Sequence, residues 1–438
     1  MGRLGTWFRS AIKSSFVRNV AIVTSGTVLG QSIMIAASPI LSRIYKPEDF
    51  GAFAVFASTV GILAIIASLR YEIAIPLPES DEEAWSLAKL ALAGATFFSF
   101  VLMITMKGWA KPFAVHMGLS EGQSVIILLI PIGVVLTSAF QTVNYLVIRS
   151  LRHRLLAKSK VVQGAVAASS QTGLGLMGIG AVGLVIGLVM GRLASALYAY
   201  FSLNIYIKSK KSLWEVAKKY MRFPKLALPS GGVNALAVEL PMLLTAAIYG
   251  TGIAGLYALA QRVVVAPMGM VGKSIAQVYM AKLGEYVRNN NPQAVLLYSS
   301  VAKKLFTISI VPFILLAIFS PYIFGMLFGA SWSVTGYIIR LLSPAFFVQF
   351  VVAPLSQTLN YIGRQDIQLV WDTLRFIGIL IIFYIAKIWK IEYITLFSIY
   401  SIYLTIAYIL LYIITIYILN KSAEKWQIKK GKHNNENV

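Results

Sequence analysis

Charged residues inside long apolar stretches are the part of this sequence most able to do chemistry. Arg192, Glu239 and Arg262 each lie near the middle of such a stretch, and Asp372 and Arg375 stand three residues apart in another. A charge at the centre of a bilayer costs at least ~2.5–3.5 kcal/mol on insertion scales, so these residues should face water or an opposite charge. Arginine also suits anionic ligands, because its planar guanidinium can donate two hydrogen bonds to a phosphate. We therefore expect Arg192 and Arg262 to line a cationic cavity.

The same charges also have a structural interpretation. Arg262 could neutralise Glu239 between two helices, and neither residue would then be available to a ligand. Asp372 and Arg375 have the spacing that brings two side chains together on one helix face, and the sequence favours a local stabilising pair there. Both interpretations stay open at the level of sequence for Glu239 and Arg262.

A second set of polar residues has weaker sequence support. Arg70, Glu72 and Lys273 lie towards the ends of apolar stretches, where long side chains can reach the membrane surface without any further role. Uncharged polar residues at depth are also candidates to bind ligand hydroxyl groups, namely Gln31, Asn144 and Gln261. Hydrogen bonds between helices are the ordinary explanation for such residues, and each contributes about 0.6 kcal/mol in a bilayer.

The composition is typical of a protein that spans a membrane many times. Hydrophobic residues make up 58% of the 438 residues and charged residues only 13%, whereas soluble domains average roughly 25% charged residues. The net charge of +23 comes from basic residues grouped between apolar stretches, which favours an anionic membrane surface over nucleic acid as the partner. The sequence has no cysteine and its three histidines are far apart, so we expect neither a metal site nor a cofactor.

Twelve apolar stretches are long enough to cross a ~30 Å hydrocarbon core as helices. Lys and Arg concentrate in alternate loops and in both tails, which by the positive-inside rule places both termini in the cytoplasm. The predicted fold class is therefore an all-α polytopic membrane protein, located in the cytoplasmic (inner) cell membrane. The predicted spans are 19–41, 49–72, 84–107, 122–148, 159–179, 181–206, 227–250, 253–280, 304–329, 336–360, 366–387 and 392–419.

A long basic linker separates the first six predicted spans from the last six. Because six is an even number, both halves enter the membrane in the same orientation, and we predict two six-helix lobes related as parallel repeats. The predicted segments are an interfacial amphipathic helix at 1–18, an N-terminal lobe at 19–207, the cytoplasmic linker at 208–226, a C-terminal lobe at 227–419 and a basic cytoplasmic tail at 420–438.

One short motif occurs once in each predicted half. IYKPEDFGAFAVFA (44–57) and IYGTGIAGLYALAQ (248–261) share Ile, Tyr, Gly and Ala at an offset of 204 residues. Each copy forms the predicted outer turn between the first two spans of its lobe. The motif therefore supports an internal repeat with equal orientation of the two lobes.

Three longer phrases resemble a known family. RYEIAIPLPESDEEA (70–84), FPKLALPSGGVNALAVELPMLLTAAIYG (223–250) and GLYALAQRVVVAPMGMVGKSIAQVYMAKLGE (255–285) are similar to the polysaccharide-transport family of lipid-linked oligosaccharide flippases. That family, which includes O-antigen and exopolysaccharide flippases, belongs to the multidrug/oligosaccharidyl-lipid/polysaccharide exporter superfamily. The resemblance covers mainly spans two, seven and eight, and it includes Arg70 and Arg262.

The resemblance implies a V-shaped arrangement of two six-helix lobes around a central cavity. It further implies that the chain is not an enzyme but moves a polyprenyl-diphosphate-linked oligosaccharide from the inner to the outer leaflet. Membrane lipids, a polysaccharide polymerase and chain-length machinery are the partners expected on this basis. Glu72, Glu239, Asp372 and Arg375 are then candidates either for ion coupling or for ion pairing.

Other functions remain open at this stage. A multidrug-and-toxin extrusion antiporter would have a similar architecture, but organic cations favour acidic and aromatic cavity residues, whereas the intramembrane charges here are mainly basic. A peptidoglycan lipid-precursor flippase is a closer alternative, for which additional spans are expected. A membrane-bound polymerase or ligase would need large outer loops, and the predicted outer loops are short.

Overall fold

The computed structural model describes residues 15–204 and 212–435, which form helices joined by short turns, without any strand in these two ranges. The helices are α1 Ser15–Ile44, α2 Pro47–Ala67, α3 Asp81–His116, α4 Val125–Leu128, α5 Ile130–Arg149, α6 His153–Leu176, α7 Ala181–Leu203, α8 Leu213–Lys219, α9 Leu228–Ala260, α10 Ala266–Arg288, α11 Gln293–Phe328, α12 Ser333–Val352, α13 Thr358–Tyr361, α14 Gln365–Ile388 and α15 Tyr393–Asn435. Short 3-10 turns lie at Tyr71–Ala74, Glu121–Gln123, Ala330–Trp332 and Ala353–Leu355, and π-helical turns at Phe223–Ala227 and Gln261–Val265.

The prediction of an all-α polytopic membrane protein is confirmed. Within the described residues, ten helical stretches are long and apolar enough to cross a membrane. One of them, Phe223–Arg288, covers two predicted spans, because it is divided at Gly250, whose φ of 80° is incompatible with a continuous helix. The less apolar helix α6 corresponds to the fifth predicted span.

Two predicted segments differ from the structure or fall partly outside it. The second span was predicted to reach residue 72, but α2 ends at Ala67 because Leu69 and Arg70 adopt left-handed backbone conformations, with φ of 52° and 61°. Of the predicted interfacial helix at 1–18, residues 1–14 lie outside the described residues. The basic linker is described from residue 212, and it contains the short helix α8.

The chain divides into two compact units, and the boundary in the sequence lies between Leu259 and Ala260. This division differs from the predicted lobes, which separate at the linker, because α9 packs with the first unit. Its residues Gly231, Glu239 and Thr251 all contact side chains or backbone that precede the linker. The predicted lobe boundaries and their parallel repeat stay a prediction.

Glycines allow very close helix packing in the first unit. A Cβ atom on Gly164 of α6 would overlap the backbone of Gly30 of α1, and a Cβ on Gly30 would overlap the carbonyl of Lys160. Small residues at such positions let helix backbones approach each other in a bilayer, where van der Waals contact drives association. The contact between α1 and α6 therefore depends on Gly30 and Gly164.

The second unit is held together by a core of aromatic and aliphatic residues. Tyr279, Tyr298 and Trp371 are buried there, and Tyr298 stacks on Tyr412 with ring centroids 5.5 Å apart. The Tyr279 and Thr358 hydroxyl groups are hydrogen-bonded at 2.8 Å. These contacts join α10, α11, α13, α14 and α15.

We expect Gly164→Val to lower the melting temperature of the protein in detergent by several degrees, because overpacking at a close contact costs about 1–3 kcal/mol. Intrinsic tryptophan fluorescence during heating measures this change. Gly173→Val is the matched control, since Gly173 lies on the same helix and a Cβ atom there meets nothing within 4 Å. Equal melting temperatures for the two variants would contradict the proposed contact.

Candidate functional site

The repeated motif packs against its own second copy. A Cβ atom on Gly51 would overlap the backbone carbonyl of Thr251, and a Cβ on Gly255 would overlap that of Pro47. Gly51 and Gly255 are equivalent positions in the repeat, and so are Pro47 and Thr251. The contact is therefore reciprocal, as at an interface between two symmetry-related surfaces. Each copy of the motif therefore supplies a glycine to one contact and a backbone carbonyl to the other.

Further contacts close the same end of the first unit, which the sequence predicts to be the outer end. The Asp49 carboxylate accepts a hydrogen bond from the Ala181 amide at 3.0 Å, and Gln123 Nε2 donates to the Glu48 carbonyl at 3.2 Å. The Tyr45 hydroxyl donates to the Gln171 carbonyl at 2.6 Å. Burial, with a smaller contribution from Asp49, raises the pKa of Tyr45 to about 12, so it keeps this donor proton at neutral pH.

At the opposite end of this unit, the sequence after α2 places Arg70 against the backbone of α9. A Cβ atom on Gly231 would overlap the Arg70 guanidinium group. The Arg70 Nη1 atom lies 3.7 Å from Glu72 Oε1, and the two side chains are 22% and 1% exposed, respectively. Left-handed conformations at two consecutive non-glycine residues are strained and are concentrated at functional sites. The strained turn therefore holds a partly exposed guanidinium beside a glycine.

Glu72 is buried beside Arg70 with incomplete hydrogen bonding. Among the described residues, neither oxygen of Glu72 accepts a hydrogen bond, and Arg70 Nε donates none. Burial raises the pKa of Glu72, and the nearby Ser68 hydroxyl, followed by the Arg70 charge, opposes this shift only in part. Tyr145 of α5 is close enough to interact electrostatically with both residues. The pair thus retains unused hydrogen-bonding capacity.

The linker helix α8 packs against this end of the unit. Val216 is buried, the Tyr71 hydroxyl donates to the Ala217 carbonyl at 3.3 Å, and Lys219 Nζ forms an ion pair with Glu83. The hydrogen bond to Glu83 raises the pKa of Lys219. The basic linker is therefore attached to the first unit by both apolar and ionic contacts.

A polar cluster lies deeper in the first unit. The Ser58 hydroxyl donates to the Glu239 carboxylate at 2.6 Å, and Arg192 Nη1 donates to the Thr137 hydroxyl. Arg192 and Glu239 also attract each other electrostatically. Both side chains are partly buried. The cluster unites α2, α5, α7 and α9 through polar groups.

Sequence reasoning left the partner of Glu239 open and did not identify several participants in the cluster. It offered Arg262 as the residue that neutralises Glu239, whereas the structure brings Arg192 and Ser58 to this carboxylate. Ser58, Thr137 and Gly231 carry no local signal, because hydroxyl residues and glycines are common in membrane helices for packing alone. Only the contact between distant helices reveals their role.

The remaining candidate residues lie on several different helices. Gln261 and Arg262 lie in the π-helical turn Gln261–Val265, and both are partly buried. Short π-helical turns inside α-helices are frequent at functional sites. Lys273 is exposed on α10. In the first unit, Gln31 is exposed on α1 and Asn144 is partly buried on α5.

Asp372 and Arg375 form a local network on α14. Arg375 Nη2 lies 3.3 Å from Asp372 Oδ1, and Arg375 Nη1 donates to the Tyr408 hydroxyl at 3.0 Å. The guanidinium also lies 4.7 Å from the centroid of the Trp371 ring. Gln368 donates to the second oxygen of Asp372 at 3.0 Å. These contacts give both charges structural partners within the second unit.

Comparison with solved structures shows the same fold in the MATE transporters. An inward-facing multidrug resistance MATE transporter of the MOP superfamily matches with a TM-score of 0.62 at 14% identity, covering 95% of this chain and 99% of that one. A MOP superfamily transporter from Pyrococcus furiosus, described as having a binding pocket of reverse polarity, matches with a TM-score of 0.63 at 14% identity, covering 94% and 97%. The fold and its apolar helices define a multi-pass membrane protein of this architecture.

Sequence comparison then identifies the family. Residues 40–336 match the family described as "Polysaccharide biosynthesis protein", which is more than half of the chain. The chain therefore belongs to this family, and the resemblance noted in its sequence is confirmed. The succinoglycan biosynthesis transport protein ExoT of Rhizobium meliloti (strain 1021) is 26% identical over 351 residues, which cover 77% of this chain and 67% of that protein.

The raised pKa of Glu72 gives a pH-dependent prediction. A carboxyl group with a higher pKa in the folded than in the unfolded state favours folding at low pH, and this contribution is lost as pH rises through the folded-state pKa. Glu72→Gln should therefore melt at a higher temperature than the unmodified protein at pH 8, and this difference should shrink as the pH falls towards 5. Melting curves in detergent across this range measure it.

Glu82→Gln serves as the control for this series, because Glu82 is an exposed carboxylate ten residues further along the chain. Melting curves of Glu82→Gln and of the unmodified protein across the same pH range give the comparison. A pH-independent difference in melting temperature between Glu72→Gln and the unmodified protein would show that burial does not perturb the Glu72 carboxyl group.

Proposed function

We propose that this chain is a flippase that moves a polyprenyl-diphosphate-linked oligosaccharide from the inner to the outer leaflet of the cytoplasmic membrane, for surface polysaccharide biosynthesis. Membership in the polysaccharide biosynthesis protein family and the similarity to a succinoglycan biosynthesis transport protein support this proposal. Both termini then lie in the cytoplasm, and a polysaccharide polymerase with its chain-length machinery receives the product on the outer side.

The arrangement of Arg70 carries the proposal. Its guanidinium is partly exposed and lies against the bare backbone of Gly231, while its Nε is buried and has no hydrogen-bond partner among the described residues. Hydrogen bonds from arginine to phosphate are charge-assisted and can be bidentate. On the predicted topology Arg70 lies at the cytoplasmic end of the first unit, where a diphosphate headgroup would first be bound. Glu72 holds the guanidinium in place until the diphosphate arrives.

Movement of the headgroup requires further polar contacts at depth. Arg192 in the first unit and Arg262 in the second lie at mid-membrane depth, and their positive charge suits a diphosphate or an acidic sugar. Gln31, Asn144, Gln261 and Lys273 are proposed as further contacts for the headgroup and sugar hydroxyls. The prenyl chain stays in the lipid throughout, so only the polar part of the substrate needs a hydrated path.

Alternating access then depends on closing and opening the predicted outer end. The reciprocal glycine contact between the two copies of the motif closes this end by backbone packing, together with the hydrogen bonds of Asp49 and Gln123. A ligand or ion can shift such an equilibrium only if it binds the two states with different affinity. Glu239 and Glu72 are the carboxylates proposed to provide that difference by exchanging a coupling ion, whereas Asp372 with Arg375 is proposed as structural.

Multidrug export is the main alternative, because solved structures of multidrug transporters share the fold. At 14% identity this similarity concerns the fold alone. The polar cluster of the first unit contains one arginine beside one glutamate, and Arg70 adds a second cation at its predicted cytoplasmic end. Glu72 balances the charge of Arg70, but the Arg70 side chain is 22% exposed and that of Glu72 only 1%, so the cation is the more accessible charge and suits an anionic headgroup better than an organic cation.

The first test measures translocation in proteoliposomes. A polyprenyl-diphosphate-linked oligosaccharide that reaches the outer leaflet becomes accessible to an added glycosidase. Arg70→Gln should slow translocation by about tenfold or more, because a charge-assisted hydrogen bond contributes ~1.5–3 kcal/mol. Gly231→Ala should cause a smaller loss, since the new methyl group displaces the guanidinium without removing it.

Two matched variants control for nonspecific damage. Gly232→Ala adds the same methyl group at the next residue, where nothing lies within 4 Å. Lys89→Gln removes an exposed cation from α3. Both should translocate at the normal rate. Unchanged rates for Arg70→Gln and Gly231→Ala would remove this site from the transport path.

The second test locks the predicted outer end. A Cβ atom at position 252 would lie 3.9 Å from Cγ of Glu48, the atom that the sulfur of a cysteine replaces, so cysteines at positions 48 and 252 are neighbours. Because the sequence has no cysteine, the double variant Glu48→Cys, Gly252→Cys contains only the designed pair. Oxidation should abolish translocation, and a reductant should restore it.

Each single cysteine variant should be insensitive to oxidant and reductant in the same assay. Mass spectrometry of the peptides establishes how much of the double variant is cross-linked. Normal translocation by fully cross-linked protein would contradict a role for this contact in opening.

A further inference from the structure

The second unit contains an open apolar groove with one cation at its edge. The groove lies among α11, α12 and α15 and has a volume of about 470 Å³. Buried Ala302 and Val351 form its floor, and Phe306, Phe347 and Tyr412 form its walls. The ring centroids of Phe306 and Phe347 lie 5.1 Å apart, and Phe306 is 48% exposed. The groove is therefore built by aromatic side chains and open on one side.

Helices α12 and α15 contribute groove residues at the same depth. Val351 is near the end of α12, which begins at Ser333, and Tyr412 lies at an equivalent distance from the start of α15 at Tyr393. At ~1.5 Å per residue both are about 27–29 Å from the helix starts. On the predicted topology these starts lie on the outer side, so the groove opens into the inner leaflet.

Lys303 marks the boundary of the membrane at this groove. Helix α11 has 36 residues, and at ~1.5 Å per residue it is longer than a ~30 Å hydrocarbon core. The apolar part of α11 begins after Lys303 and Lys304. Lys303 lines the groove, whereas Lys304 is not part of its lining. A positive charge therefore lies at the predicted depth of the lipid headgroups, next to an apolar groove that suits an acyl chain.

We propose that this groove is a binding site for an anionic phospholipid of the inner leaflet, with the phosphate on Lys303 and one acyl chain in the groove. Basic pockets between membrane helices bind anionic headgroups by this combination of contacts. An acyl chain that moves from bulk lipid into the groove gains no hydrophobic energy, because both surroundings are apolar. Selectivity for the lipid therefore rests on the Lys303 charge and on van der Waals fit. This site is independent of the proposed flippase activity, because none of its residues belongs to the candidate transport site.

The test uses phosphatidylglycerol with a photoreactive group on its acyl chain, added to the full-length protein in nanodiscs. Peptide mapping after illumination identifies the labelled residues. We expect labelling of α11 and α12 at the groove, competed by unlabelled phosphatidylglycerol and much less by phosphatidylcholine. Lys303→Gln should weaken this labelling about fivefold, since one lysine near an anionic surface contributes roughly one kcal/mol.

Lys304→Gln is the matched control, because it removes the neighbouring exposed charge without touching the groove. Photolabelling of the groove in this variant should be as strong as in the unmodified protein. A variant that fills the groove, Ala302→Phe, should lose labelling while Lys303 is intact. Equal competition by phosphatidylcholine, or equal loss in the two lysine variants, would overturn the proposal. Stronger competition by a polyprenyl phosphate would also overturn it, by assigning the groove to the prenyl chain.

Discussion

The cost of a charge in hydrocarbon is the constraint on which the rest of this structure depends. A membrane helix that contains Arg or Glu at depth is stable only if another helix supplies a counter-charge, a hydroxyl group or water. The first unit meets this need with Arg192, Glu239, Ser58 and Thr137, which come from four different helices. Because each partner is on another helix, these polar contacts also fix how the helices are placed.

The second unit meets the same constraint in another way. Arg375 has its carboxylate partner one turn away on the same helix, and a tryptophan and a tyrosine ring provide the remaining surroundings. In this network both oxygens of Asp372 accept hydrogen bonds, from Arg375 and from Gln368, although Arg375 Nε has no hydrogen-bond partner among the described residues. The Arg70–Glu72 pair, with both carboxylate oxygens and one guanidinium nitrogen lacking hydrogen bonds, is the opposite case. This contrast is why we propose Arg70 as the contact for the headgroup and a structural role for Asp372 and Arg375.

The two ends of the first unit are closed by different kinds of contact. At the predicted outer end, Gly51 and Gly255 bring backbone against backbone in a reciprocal arrangement. At the other end, the linker helix and the turn after α2 are joined by ion pairs and hydrogen bonds. Hydrogen bonds from the Ala181 amide to Asp49 and from Gln123 to the Glu48 carbonyl add to the glycine contacts at the outer end. The other end is held by the ion pair between Lys219 and Glu83 as well as by hydrogen bonds.

The sequence alone determined the features that depend on neighbouring residues. Apolar length defined nearly every membrane helix, and the three-residue spacing of Asp372 and Arg375 brought these two side chains together. The repeated motif predicted two equivalent turns, because an internal repeat can be recognised directly in the amino-acid sequence. Only the tertiary structure decided that these turns contact each other, that Glu239 faces Arg192 and Ser58, and that Gly231 accommodates Arg70. Helical periodicity fixes which residues share a face, but the partner of that face is chosen by packing between segments far apart in the chain.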